Sequence, residues 1–193
     1  MRRSIVVAVS LLFVVASAFA QQSSHSNTVS VFVSDLSIVH SSSLGTDVDA
    51  SYGVAFNHMF SNHLSGELSV TSQRIRQSVT TFSGGGQPIF TSYSDTLYPI
   101  DANVSYHFLT DSRWKPYIGA GLRYLNSTVY GSSPFGNYRN DLHSIDPEVS
   151  GGVTFQFRPN LGLRFDAKQI VGNSNSALGD TAFSGSVGLS FRF

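Results

Sequence analysis

The stretch Phe183-Ser184-Gly185-Ser186-Val187-Gly188-Leu189-Ser190-Phe191-Arg192-Phe193 closes the sequence. Phe183, Gly185, Val187, Leu189, Phe191 and Phe193 share one parity; Ser184, Ser186, Gly188, Ser190 and Arg192 share the other. Side chains of a strand alternate between its two faces, so this segment reads as a strand with one apolar face and one polar face. A tilted strand needs about 9–11 residues to cross a bilayer, and this segment has that length. A strand that ends on an aromatic is expected where a barrel closes and docks at a membrane rim.

The opposite end of the sequence is consistent with export. Arg2 and Arg3 form a basic region, Ile5 to Val15 is apolar apart from Ser10, and Ala18-Phe19-Ala20 is a small-x-small cleavage pattern. This layout predicts a signal peptide over residues 1–20. Position 21 is glutamine, which does not fit a lipoprotein anchor. The remaining 173 residues are expected to form one domain. There is no cysteine, so no disulfide holds the fold. Charged residues make up 12% of the chain, about half the usual share. Without Arg2 and Arg3, ten basic residues face twelve acidic ones, which argues against nucleic acid as a partner. No run after Ala20 is apolar for 18 residues, so any membrane span must be made of strands.

Alternation predicts eight strands, at about 28–38, 49–60, 64–74, 96–108, 116–130, 143–157, 161–171 and 183–193. A switch of apolar parity in the first, from Val29, Val31 and Val33 to Leu36 and Ile38, predicts a bulge near Ser34-Asp35. Connections after the odd strands are long, including polar loops at Ile75–Asp95 and Gly131–Leu142; those after the even strands are short. An even strand number with short turns at one end and long loops at the other is the plan of an outer-membrane barrel. Aromatics cluster at both ends of the strands. Phe60, Tyr106, Phe108, Trp114, Tyr117, Phe157 and Phe193 form one expected girdle, and Tyr98, Tyr124, Tyr130 and Phe183 the other. The fold class is therefore all-β, an eight-stranded antiparallel transmembrane β-barrel. A lipocalin-type soluble barrel would place the apolar face inside. The near absence of charge on that face and the hydroxyl-rich polar face favour the membrane arrangement.

With polar residues inside, the lumen receives Glu67, Asp101, His107, Arg123, Asp146, Glu148, Arg164, Asp166, Lys168 and Arg192. An eight-stranded barrel is just wide enough for its side chains to fill. Buried charges need partners, so these residues are expected to form a plug of ion pairs; a gated narrow pore is the functional alternative. No nucleophile elbow and no paired-histidine zinc motif occurs, so neither catalysis nor a cofactor is expected. The Gly84-Gly85-Gly86 run lies in a loop, away from any strand-to-helix turn. His58 and His63 flank one turn and are read as interfacial residues, with a shared metal as the alternative. Arg74, Arg76 and Arg139 are candidates to meet lipopolysaccharide phosphates.

The passage Tyr98-Pro99 through Tyr106-His107-Phe108, then Trp114-Lys115-Pro116-Tyr117-Ile118-Gly119-Ala120-Gly121-Leu122-Arg123-Tyr124, resembles the OmpW family of small outer-membrane barrels. The strand Leu161 to Lys168 and the Phe-Arg-Phe ending are also similar to it, and the ending resembles the C-terminal signature of outer-membrane barrels, which implies that Phe191 and Phe193 are the assembly signal read by the outer-membrane assembly machinery. The Pro-Tyr-x-Gly-x-Gly element recurs in barrels resembling OmpA and OmpX. The resemblance implies an eight-stranded outer-membrane barrel in contact with lipid and lipopolysaccharide, acting structurally or as a narrow channel for small hydrophobic solutes. Adhesion through the external loops and modification of outer-leaflet lipid are the alternatives.

Overall fold

A computed structural model of the chain describes residues 26–38, 46–48, 51–82, 88–133, 136–171 and 182–193. Residues 1–20, where the signal peptide is expected, lie outside them. The elements are β1 (Asn27–Ile38), β2 (Thr46–Val48), β3 (Ser51–Met59), β4 (Leu64–Phe82), β5 (Pro88–Leu97), β6 (Ile100–His107), β7 (Trp114–Ser133), β8 (Gly136–Arg158), β9 (Leu161–Ile170) and β10 (Ala182–Arg192). All pairings are antiparallel. The sheet closes where β1 pairs with both β3 and β10.

These ten segments make eight staves. β5 and β6 are one stave, interrupted at Tyr98-Pro99, because both pair with β4 and β7 in the same register. Pro99 has no N–H to give to the ladder, so the stave breaks there. The backbone bonds from Thr71 N–H to the Pro99 carbonyl (3.0 Å) and from Tyr98 N–H to the Asn126 carbonyl (3.1 Å) hold the two sides together. β2 extends the stave of β3 along β4.

Burial is inverted relative to a water-soluble barrel. Val104 is 53% exposed while its neighbour Ser105 is 5% exposed. Ile118, Leu122, Val149, Val187 and Leu189 are likewise exposed, and Ser69, Asp101, Glu148 and Ser190 are buried. Water cannot favour such a surface, since exposing large apolar side chains forfeits about 1.5–3 kcal/mol each. A bilayer favours it. The soluble alternative is excluded by this pattern, and the eight-stranded closed barrel stands.

The described residues of the two predicted polar loops, 75–82, 88–95, 131–133 and 136–142, are strand instead. β4 and β5 pair from Gln73↔Leu97 to Phe82↔Pro88, and β7 and β8 pair as far as Ser133↔Gly136. Beyond the membrane both faces of a ribbon meet water, so a ladder forms without apolar alternation to announce it. Gly136 has φ of 139°, a conformation that glycine adopts freely at the start of β8. The bulge expected at Ser34-Asp35 is absent. β1 runs against β10 without a shift from Thr28↔Arg192 to Ile38↔Ala182. The change of parity marks where the strand leaves the bilayer, and Asp35 is accordingly exposed on the outward face. The irregularity that does occur lies between Gln156 and Arg158, where β8 turns into β9.

Candidate functional site

The site is the lumen, and β-strand parity decides who enters it. Of the ten charged or titratable residues expected in the lumen, seven come together: Glu67, Asp101, Arg123, Glu148, Arg164, Asp166 and Lys168. They form two linked groups.

In the first, Asp101 on β6 takes a two-pronged contact from Arg123 on β7. Nε donates to Oδ1 at 2.7 Å and one terminal nitrogen to Oδ2 at 3.0 Å. Lys168 Nζ on β9 donates to the same Oδ2 at 2.7 Å, and Ser69 Oγ adds a bond at 3.2 Å. Glu148 on β8 lies 3.4 Å from Arg123 and 3.6 Å from Lys168, and Asn103 donates to it. Five neighbouring staves are thus tied by one carboxylate-centred network. In the second, Arg164 on β9 binds Glu67 on β4 through both terminal nitrogens, one of them at 3.0 Å from Oε1. It also donates to Asp166 at 2.9 Å and, through Nε, to the Tyr117 hydroxyl at 2.9 Å. Its guanidinium carbon stands 5.2 Å from the centre of the Tyr117 ring. β4 and β9 are four staves apart on an eight-stave ring, so the Arg164–Glu67 pair spans the full diameter. Charge-assisted, bidentate contacts of this kind are the strong class of hydrogen bond.

Two of the other three stand apart. His107 Nε2 lies 2.9 Å from Ser65 Oγ near the short-turn end. Arg192 is exposed at the same end and, among the described residues, makes no ion pair. Asp146 is buried and accepts a bond from Ser144 Oγ at 2.8 Å. Phe191 and Phe193 are exposed on the rim; the Phe193 backbone exchanges two bonds of 2.9 Å with Asn27.

Above and below the ion pairs the lumen differs. Towards the long-hairpin end the inward positions Leu97, Leu125, Ile170 and Ala182 are all but fully buried. Phe32 also points inward, its ring lying where a side chain on Gly53 would be, 2.5 Å from that added carbon. The gap remaining beside the network is about 20 Å³, room for a single water. Towards the short-turn end a cavity of about 240 Å³ opens outward.

Sequence reasoning missed three kinds of residue here. Tyr117 was expected in the girdle, but it has the parity of Gly119 and Arg123 and is buried against Arg164. Phe32 and Leu97 were hidden by their apolar character, although each has inward parity. The glycines of the Pro-Tyr-x-Gly-x-Gly element also gain a reason. A Cβ on Gly121 would collide with the Ala102 carbonyl and with Asn103 Oδ1, so only glycine lets Asn103 reach Glu148.

His58 and His63 do not converge. His58 Nδ1 lies 2.8 Å from Asn27 Oδ1, and His63 Nδ1 lies 2.8 Å from the His107 carbonyl oxygen. No group of three metal-ligating side chains forms among the described residues. On the protruding β7–β8 ribbon, Arg139 pairs with Asp141 at 3.1 Å and stands 5.7 Å from the centre of the Tyr130 ring. The Thr128 hydroxyl, with Arg139, holds the Asp141 carboxyl below its usual range.

Closed pairing, an apolar exterior and a charged, ion-paired interior define a transmembrane β-barrel. The chain belongs to the outer membrane protein beta-barrel domain family, whose sequence profile matches residues 6–193. It is thus an outer-membrane β-barrel protein of the bacterial envelope. No curated protein sequence matches it significantly. Several solved structures share its fold. Neisserial surface protein A is 20% identical, with 89% of this chain and 98% of that one covered and a TM-score of 0.54. OprG from Pseudomonas aeruginosa is 14% identical, covering 88% and 96%, with a TM-score of 0.55. Ail, the attachment invasion locus protein of Yersinia pestis, solved in complex with the heparin analogue sucrose octasulfate, is 12% identical, covering 88% and 99%, with a TM-score of 0.54.

Proposed function

We propose that this protein is a structural barrel, sealed across its lumen and presenting two β-ribbons at the cell surface. The observation that carries this reading is the Arg164–Glu67 pair across the full diameter, backed by the Asp101 network and a residual gap of about 20 Å³. Glu67, Asp101, Arg123, Glu148, Arg164, Asp166 and Lys168 act as the plug. His107 and Arg192 belong to the vestibule below it. The chain reaches the membrane after cleavage of residues 1–20, and Phe191 and Phe193 are read by the assembly machinery. The outward Arg74 and Arg139 meet lipopolysaccharide phosphates. No catalytic role is assigned to any residue.

The test is planar-bilayer recording on the folded protein, together with uptake of a small hydrophobic dye into vesicles that contain it. A sealed barrel gives no steady conductance and no faster uptake. Sustained channel openings, or uptake that scales with protein, would make the lumen a narrow channel for small solutes instead.

A second reading is supported by the ribbons themselves, which continue far past the length a bilayer needs. Ail is solved with a sulfated sugar analogue. A ribbon bearing Arg139 beside Tyr130 and His143 stacked on Tyr124 has the chemistry for a surface contact with a polyanion.

A further inference from the structure

The plug accounts for the charges in the middle of the lumen. It does not account for those at the periplasmic mouth. Lys115 on β7 and Arg192 on β10 both have inward parity and both line the 240 Å³ vestibule. Because they point inward, they are not placed to reach lipid headgroups around the rim. Among the described residues neither has a carboxylate within ion-pair distance, and Arg192 acts repulsively on Lys115. Asp111 is the one acidic residue on the vestibule wall not already committed, since Glu67 is held by Arg164. The mouth therefore carries a surplus of positive charge. The wall between the two cations is lined with hydroxyls, Thr154 and Ser190 among them. Ser30 faces the same space, is 1% exposed, and its Oγ has no hydrogen-bond partner in the protein. A buried hydroxyl left unpaired is costly, which is why buried polar groups normally find a partner. The vestibule measures about 240 Å³, so its occupant is small.

We propose that the vestibule is a binding site for a small soluble dianion from the periplasm, of the phosphate or short dicarboxylate class. Lys115 and Arg192 supply the charge, and Ser30 with its hydroxyl neighbours supplies donors from the wall. This goes beyond the sealed-barrel reading. The site lies below the plug, and it stands whether or not the lumen conducts.

The protein is folded into phosphatidylcholine nanodiscs, and inorganic phosphate and succinate are titrated separately at low ionic strength, with amide resonances followed by NMR. Saturable shifts at Ser30, Lys115 and Arg192 are expected with at least one of the two anions. A Lys115→Gln/Arg192→Gln double variant is expected to weaken binding at least tenfold, and Ser30→Ala several-fold. An Arg113→Gln variant, which removes an exposed cation from the neighbouring turn, is expected to change nothing. Neutralising Lys115 and Arg192 breaks no ion pair, and the heat-dependent gel shift checks that each variant is folded. The proposal is overturned by the absence of a saturable response to either anion. A response that survives the double variant overturns it as well. So does loss of the response in discs doped with phosphatidylglycerol, which would make the two cations a lipid-headgroup contact.

Discussion

At the residue scale the account rests on Arg164. Its guanidinium is shared among Glu67, Asp166 and Tyr117, and all four side chains are withdrawn from water. Removing one partner from a buried ion-pair network leaves the others charged and unpaired, at a cost of about 3–5 kcal/mol. Replacing the whole set by apolar groups costs much less. Arg164→Met is therefore expected to lower the unfolding free energy, measured by urea titration in lipid vesicles, by about 3–5 kcal/mol. The triple variant Arg164→Met/Glu67→Leu/Asp166→Leu should recover most of that loss. If Arg164→Met costs less than about 1 kcal/mol, the pair is a surface-like contact and not a structural plug. This part of the site was legible in the sequence. A charge on a strand whose other face is apolar must point inward, and the parity of Glu67, Asp101, Arg164 and Lys168 was plain. Who pairs with whom was not legible, because Glu67 and Arg164 lie 97 residues apart and meet only once the ring has closed. Tyr117 was lost for a different reason: an aromatic near a turn fits a girdle as well as a lumen, and only its parity tells them apart.

At the element scale the strands divide into a part that crosses and a part that protrudes. Eleven residues at about 3.3 Å each, tilted by about 40°, rise roughly 28 Å, enough for an apolar band of about 25 Å. β10 has that length, whereas β7 has 20 residues and β8 has 23. The β7–β8 ribbon thus stands well clear of the membrane. Its β7 edge pairs with β5 from Ser92↔Ser132 to Thr96↔Thr128, beyond the part that crosses the bilayer. Replacing Thr128–Asp141 by Asn-Gly, a pair suited to a two-residue hairpin turn, should leave the heat-dependent gel shift of the closed barrel in place. Binding to an immobilised sulfated polysaccharide should be lost if the ribbon makes the surface contact; retained binding would place that contact elsewhere. Sequence alternation located the crossing parts well, because a bilayer on one side and a packed lumen on the other impose a period of two. It failed at Ile75–Asp95 and Gly131–Leu142, where both faces meet water and the period has no cause. The same loss of period in β1 imitated a bulge.

At the scale of the whole molecule, closure depends on the first and last strands. β1 and β10 pair over eleven positions, and that seam leaves no stave with an open edge in the bilayer. The interior is held by ion pairs and the exterior is satisfied by lipid, so no disulfide is required. The central claim is this inversion, apolar outside and polar inside. The lack of cysteine makes it directly measurable. Single cysteines at Val104, Ile118 and Leu189, and at the inward positions Ser105, Ser150 and Ser190, would carry a small fluorophore in bilayers containing brominated lipid. The account predicts strong quenching at Val104, Ile118 and Leu189 and little at the three inward positions. Quenching at the inward set with protection of the apolar set would turn the barrel inside out and contradict the account.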